Sequence, residues 1–329
     1  MPTPVMIQTH LVTGGAGFIG SHLCDRLLSS GHFVIAIDDF SLGNRENMAK
    51  ASTNNRFLLI EGDVSCPLFW EKILKEQSRL AATDVIWHMA ANSDISAGVL
   101  DATVDLKKTF LTSFHTLEAA RTMQVKRFVL ASTSAVYGEL QTPLHEDSAP
   151  LNPISNYGAM KLASEAAATA LTSSCLDRLW IFRFPNVVGS RSTHGVIHDF
   201  VRKLNANPSR LDVLGNGTQC KPYLHVEELL NAMLYVVDHA DQTVNRYLIG
   251  PQGTTGTTVK HIAESVVRAY GAETQIEYGT GNRGWVGDVP QFSYSIERIN
   301  ALGWQPDLSS DQAIERAIRE IVAELRIHS

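Results

Sequence analysis

Thr13-Gly14-Gly15-Ala16-Gly17-Phe18-Ile19-Gly20 (TGGAGFIG) is the stretch that decides the fold of this chain. In front of it, Met6 to Thr13 reads as an apolar strand. Behind it, Ile19, Leu23 and Leu27 recur every four residues and lay one stripe along a helix over Ile19 to Ser29. Gly14, Gly17 and Gly20 have the GxxGxxG spacing, a variant of the dinucleotide fingerprint. Glycine permits the tight turn and lets backbone approach a pyrophosphate without a Cβ clash. The N–H groups and dipole of the following helix, here Phe18, Ile19 and Gly20, then meet the negative charge. Strand, glycine turn and helix in that order are the context such a motif requires.

Working outward, Phe33 to Asp38 (FVIAID), Phe57 to Glu61, Val85 to Met89 and Phe128 to Ser132 are further short apolar runs. Helical stretches separate them, notably Leu68 to Arg79 and Lys107 to Arg121. Continuous apolar strands alternating with helices imply an α/β fold, a Rossmann-type doubly wound parallel sheet covered on both faces. Beyond Leu179 the pattern loosens into a strand at IFRF and a loop at VVGSRSTHG. Shorter strands follow at RLDVLG, YLIG and IEY, then a helical stripe of Ile314, Ile318, Ile321, Val322 and Leu325. Thr280 to Pro290 (TGNRGWVGDVP) reads as a long loop. No linker interrupts the chain. Residues 1–180 are therefore expected to be mainly the nucleotide-binding domain, and 181–329 mainly a smaller, interleaved α/β substrate-binding lobe.

The 329 residues are 44% hydrophobic and 19% charged, too apolar for an extended disordered chain. Lys plus Arg total 28 against 34 Asp plus Glu, a formal charge of -6, which argues against nucleic-acid or anionic-membrane binding. The four cysteines, Cys24, Cys66, Cys175 and Cys220, share no CxxC spacing, so no metal site or disulfide framework is expected. Met1 to Gln8 carries no basic residue of the kind a signal peptide needs, and no apolar run reaches about 18 residues. A cytoplasmic protein, with no membrane partner, is expected.

Asp38 ends the second strand, 18 residues beyond Gly20. A carboxylate there accepts from both adenosine-ribose hydroxyls and repels a 2′-phosphate, which selects NAD over NADP. Asp63, followed by Val64, can meet the adenine or cap a helix at Pro67. Ala90 and Ala91 have the small side chains that close passage of a cofactor needs. Downstream, Tyr157 and Lys161 share one helical face in SNYGAMKLASEAAATA, and an adjacent ammonium favours phenolate over phenol. Between these regions, Ser132-Thr133-Ser134-Ala135-Val136-Tyr137-Gly138 forms a polar strand end. A hydroxyl there either satisfies backbone groups or relays a proton.

Together GGAGFIGSHL, STSAVYG, the Tyr157/Lys161 pair and RFPNVVG resemble the extended short-chain dehydrogenase/reductase family, nearest its NAD-dependent nucleotide-sugar epimerases related to UDP-glucose 4-epimerase. The likeness runs from Leu11 to about Ile321. It implies that Thr133 is the catalytic hydroxyl, Tyr157 the acid/base, and Lys161 the ligand of the cofactor ribose. By the same resemblance Asn186 contacts substrate and Arg283, ahead of Gly287-Asp288, grips a nucleotide diphosphate. Lys221 stands where relatives usually have Arg, which removes a bidentate fork but keeps a charge. Phe292 falls near where relatives use side-chain size to admit or refuse an N-acetyl group, and its bulk points to UDP-glucose and UDP-galactose. Dehydratases of the family typically read Thr-Asp-Glu before Val-Tyr-Gly. Here Thr133-Ser134-Ala135 has no carboxylate, which disfavours water loss. The implied activity is 4-epimerisation of a nucleotide sugar, a UDP-hexose, through a 4-keto sugar with NAD retained. A dehydratase or dehydrogenase/reductase using the same residues is the alternative within chemistry. A non-catalytic NAD-binding regulator is the alternative outside it, and the intact Thr133, Tyr157 and Lys161 argue against that. Family relatives also build a dimeric four-helix interface from the places occupied by Lys107 to Arg121 and Asn156 to Thr172, which implies a homodimer.

Overall fold

A computed structural model describes residues 6–140, 143–253, 255–281 and 292–327. A seven-stranded sheet runs in the order Val244–Leu248, Arg178–Arg183, Arg127–Ala131, Val85–His88, Thr9–Thr13, Phe33–Asp38, Phe57–Glu61. Pairing is parallel from Arg178–Arg183 across to Phe57–Glu61. Strand order reverses at Thr9–Thr13, which lies between Phe33–Asp38 on one side and Val85–His88 on the other. The register matches Thr13 with both Ile37 and His88, so the loops after these strands leave the same edge. In a doubly wound sheet that reversal opens the crevice where a ligand binds. The expected Rossmann-type fold is present, with an accessory α/β region.

The strands over Phe33–Asp38 and Phe57–Glu61 have the expected bounds. The first strand begins only at Thr9, because Met6 and Ile7 remain exposed instead of entering the ladder. The stretch expected to be helical over Lys107 to Arg121 is not uniform: Ala102–Asp105 is α-helical, Leu106–Leu111 is a π-helix, and Thr112–Met123 returns to α. Hydroxyl side chains compete with the backbone there. Thr112 Oγ1 donates to the carbonyls of Lys108 and Thr109 at 3.1 and 2.9 Å, and Ser113 Oγ to that of Thr109 at 2.9 Å.

The chain divides into two compact units. One comprises the chain through Ser132 with Ala159–Phe182 and Asp241–Arg246. Its core includes Leu11, Ile35, Ile86, Phe128 and Ile181, all fully buried, with Leu117 and Ala120 from the helix over Thr112–Met123. The other comprises Thr133–Gly158, Arg183–Ala240 and the chain from Tyr247. There the helices Val196–Ala206, Val259–Tyr270 and Ser310–Ile327 enclose Val201, Leu204, Leu211, Ile262 and Ile314. Short strand pairs edge this core, including Asn186–Val188 against Tyr223–His225. Asn186–Val188 thus pairs where the sequence reads as the start of a loop. The loop expected over Thr280 to Pro290 lies outside the described residues from position 282 onward.

Phe128 sits on a central strand whose end leads directly to Ser132 and Thr133. Truncation to alanine removes a fully buried ring, and Phe128→Ala is expected to cost about 3–5 kcal/mol in urea unfolding. A loss below about 1 kcal/mol would contradict this account of the core.

Candidate active site

Gly14 has φ +67°, a left-handed conformation that favours glycine, and a Cβ added to it would come within 2.7 Å of the Ala90 backbone nitrogen. The loops after two neighbouring strands therefore meet backbone to backbone at the sheet's reversal. A Cβ on Gly20 would run into the Gly14 carbonyl oxygen, so the third glycine lets the helix over Phe18–Ser29 press against the turn. That helix starts at Gly17, with no side chain capping it. Its N-cap, Gly17, has no side chain to occupy the first N–H groups. The donor set and the space a Cβ would fill both fit a pyrophosphate.

Asp38 is buried and closes this loop. Its carboxylate accepts from Ala16 N at 2.9 Å and from Phe40 N at 2.8 Å. Burial raises its pKa, against these backbone hydrogen bonds. A carboxylate offers about four acceptor positions, so the N–H groups of Ala16, Phe40 and Gly17 leave capacity for a ribose hydroxyl. Asp63 accepts from Ser65 N at 2.8 Å in its own turn, while the following helix, Pro67–Glu76, has no side-chain cap. Lys108, which the sequence did not single out, pairs with Asp39 and lies 3.4 Å from Asp63. Val64 is buried, its carbonyl accepting from Trp70 Nε1 at 3.0 Å. Ala90 and Ala91 follow Val85–His88 at the reversal.

Tyr157 and Lys161 occupy the first turns of one helix, Asn156–Leu171, at the i and i+4 positions that share a face. Thr133 caps a 3₁₀ turn over Ser134–Tyr137, its Oγ1 accepting from Ala135 N at 3.1 Å. The start of the tyrosine helix packs closely on that turn: a Cβ on Gly158 would stand 2.6 Å from the Ala135 carbonyl oxygen. Tyr157 and the Thr133 turn are thus neighbours within one unit. In the other unit, Lys161 is 1% exposed and its Nζ donates to the Ala131 carbonyl at 2.6 Å. Burial lowers its pKa to about 8, while Glu165 and Asp105 act in the opposite direction.

Three further polar groups in that unit were not anticipated. Glu165, 3% exposed and one turn beyond Lys161, accepts from Ser132 Oγ and lies 3.7 Å from Arg246 Nε. Asp105 is fully buried, accepting from Asn92 Nδ2 at 2.9 Å and Thr109 Oγ1 at 3.2 Å. His88 bridges Thr13 Oγ1 at 2.8 Å and Ser113 Oγ at 3.0 Å, and burial, then Lys161, holds its pKa well below the usual histidine range. The available signal was a lone carboxylate, Glu165, inside an alanine-rich helix.

Asn186, Lys221 and Phe292 belong to the other unit. Asn186 is exposed at the start of its short strand, opposite Tyr223. Lys221 is 8% exposed and pairs in register with Thr257. The backbone of Lys221 lies against Gly256, where a Cβ would approach its carbonyl carbon to 2.5 Å. Phe292 is half-buried, its ring centroid 5.4 Å from that of the buried Tyr294. Arg283 lies outside the described residues.

Residues 10–250 match the sequence profile of the NAD dependent epimerase/dehydratase family. The chain is 28% identical to a putative UDP-glucose 4-epimerase of Methanocaldococcus jannaschii over 315 residues, 94% of this chain and 96% of the relative. A crystal structure of a UDP-galactose 4-epimerase superposes with a TM-score of 0.84 at 32% identity, covering 97% of this chain and all (100%) of the other. The dTDP-glucose 4,6-dehydratase DesIV of Streptomyces venezuelae, solved with NAD bound, gives a TM-score of 0.83 at 26% identity over 98% of this chain and 98% of its own.

The buried ammonium makes stability depend on pH. Lys161 loses its proton near pH 8 when folded, against an ordinary value of 10.5, so the unfolded chain binds more protons across that window. Stability from this group is therefore expected to rise with pH between those values, by about 1.4 kcal/mol per unit. Denaturation of wild type and Lys161→Met from pH 7 to 10 isolates the effect. Relative to the variant, wild type gains stability as pH rises, and a flat difference would refute the burial cost.

Proposed function

The chain belongs to the NAD dependent epimerase/dehydratase family, and on that premise we propose that it epimerises a nucleotide sugar at C4, interconverting UDP-glucose and UDP-galactose through a transient 4-keto sugar. The observation that carries this reading is the turn against which the tyrosine helix packs. Thr133, Ser134 and Ala135 offer hydroxyls and no carboxylate. A proton relay is available there, but not the acid and base that water loss needs. Similarity to a UDP-galactose 4-epimerase across nearly the whole of both chains supports the same choice.

NAD is the cofactor. The Gly14–Gly20 turn and the uncapped start of the Phe18–Ser29 helix suit its pyrophosphate, with Phe18 and Ile19 in the first turn. Asp38 takes a ribose, Asp63 and Val64 the adenine, Ala90 and Ala91 the close passage between them, and Lys161 the second ribose. When bound, NAD supplies the reversible oxidant for the C4 carbon. The protein's own groups handle the proton. Tyr157 Oη takes the proton of the C4 hydroxyl, directly or through Thr133 Oγ1, and returns it after the sugar has turned. Lys161 stabilises the phenolate one helical turn away, bringing tyrosine acid/base chemistry toward neutral pH. Holding both groups on short, well-packed elements supplies the positioning part of catalysis. Asn186, Lys221 and Arg283 are assigned to the nucleotide sugar, Lys221 and Arg283 to its diphosphate, and Phe292 to exclusion of an N-acetyl group.

The assembly we propose is a homodimer in the cytoplasm. Leu106 and Phe114 are 43% and 41% exposed on the π-helix and on the helix over Thr112–Met123, apolar surface that a second copy would cover. Among the described residues, no helix is long and apolar enough to cross a membrane.

Product chromatography with UDP-glucose and UDP-galactose, in both directions and without net change at 340 nm, tests the reaction. Net absorbance change or a stable 4-keto-6-deoxy product would replace it with oxidoreduction or dehydration. Tyr157→Phe is expected to retain NAD and fold normally while turnover falls by roughly 10²-fold or more. An unchanged rate would remove Tyr157 from the mechanism. Light scattering at micromolar concentration should report twice the chain mass, and a monomer mass would reject the dimer.

A further inference from the structure

Resting on the reading of Tyr157 and Lys161 above, we propose that Glu165 is a positioning residue that keeps the buried Lys161 charged. An ammonium 1% exposed has lost nearly all its hydration. The Ala131 carbonyl at 2.6 Å supplies a dipole, not a counter-charge. Without nearby negative charge, such a group would shed its proton and cease to stabilise a phenolate.

Three titratable groups surround Lys161 from different elements. Glu165 lies one turn further along its own helix, Asp105 ends the turn over Ala102–Asp105, and His88 ends the strand over Val85–His88. His88 is held neutral between Thr13 and Ser113 and offers no negative charge. Both carboxylates favour the ammonium, with Glu165 the larger influence. Helix geometry fixes the spacing, since residues four apart stand one above the other. Tyr157, Lys161 and Glu165 therefore form a file of three on one helical face.

Glu165 is itself set from both sides. Ser132 Oγ donates to Oε1, tying it to the end of the central strand, and the Arg246 guanidinium lies 3.7 Å from Oε2. Ser132 immediately precedes Thr133. The strand end that presents the proposed relay hydroxyl thus also orients the acid behind the lysine. Removing one of the two carboxylates that favour a buried ammonium is costly because its charge is then only partly compensated. That charge is the one Tyr157 needs.

The test is a titration of the Lys161 ammonium by ¹⁵Nζ-lysine NMR in the NAD-loaded protein, with Lys161→Met assigning the resonance. Glu165→Gln preserves shape and an acceptor for Ser132 but removes the charge. It is expected to lower the Lys161 midpoint by about one pH unit or more. The alkaline limb of the kcat profile should move to lower pH by the same amount, a tenfold loss on that limb per unit. Glu165→Asp should recover at least half of the shift. Arg246→Met, at a partly exposed position, should move the midpoint upward because it leaves Glu165 less neutralised. It therefore provides a reading even where Glu165→Gln does not fold. An unchanged Lys161 midpoint in Glu165→Gln, or in Arg246→Met where only that variant folds, would overturn the proposal and leave Glu165 as a packing residue whose loss lowers the melting temperature alone. Should the midpoint move as expected while no UDP-hexose is converted by the wild type, the epimerase reading fails and the counter-charge stands.

Discussion

Contact of backbone on backbone between Gly14 and Ala90 is the constraint on which the nucleotide-binding end depends. Strand order reverses there, and the two loops leave the sheet with almost no side-chain volume between them. Any Cβ at Gly14 would displace the segment that follows His88. Gly20 extends the restriction to the first helix, whose start can approach the turn only because no side chain intervenes. Asp38 then locks the arrangement by accepting from the Ala16 backbone within that turn. The shape that suits a diphosphate is thus made by main chain, with one carboxylate holding it closed.

The helix that carries Tyr157 and Lys161 has a different physical basis. Tyr157 and Lys161 gain their spacing from helical periodicity, but the charge on Lys161 depends on burial. Lys161 lies buried among a carbonyl, two carboxylates and a neutral imidazole. Its charge is costly, and that cost makes it responsive to the acids around it. A fully solvated lysine at the same spacing would be insensitive to its neighbours and would influence a phenol weakly.

Strongly patterned local features were legible in the sequence. The FVIAID strand, the strand over Phe57–Glu61 and the glycine turn each state their structure through period, flanking residues and the lack of side chains. The π-helix over Leu106–Leu111 was not legible, because Thr112 and Ser113 keep a helical spacing while their hydroxyls contest the Thr109 carbonyl. At the site, Tyr157 with Lys161 and Gly14 with Gly20 carry short-range signals. Glu165 and Lys108 do not, since what distinguishes them is a partner far away in the chain. Arg246 is 81 residues from Glu165 and Asp39 is 69 from Lys108. A lone carboxylate among alanines reads equally well as a solvated face until the packing around it is known.

The path of the chain between its two compact units has a consequence for synthesis. The strand at one edge of the seven-stranded sheet is Val244–Leu248, whereas the other six are complete by Arg183. A ribosome must therefore make the whole of Phe184–Thr243 before that edge can be covered. Until then Arg178–Arg183, four of whose residues are apolar, has one unpaired row of N–H and C=O groups. A nascent chain in that state presents an open β-edge, the feature that recruits chaperones or mispairs with a neighbour. The interleaving that divides the mature protein into two units also delays its safest state until most of the message has been read.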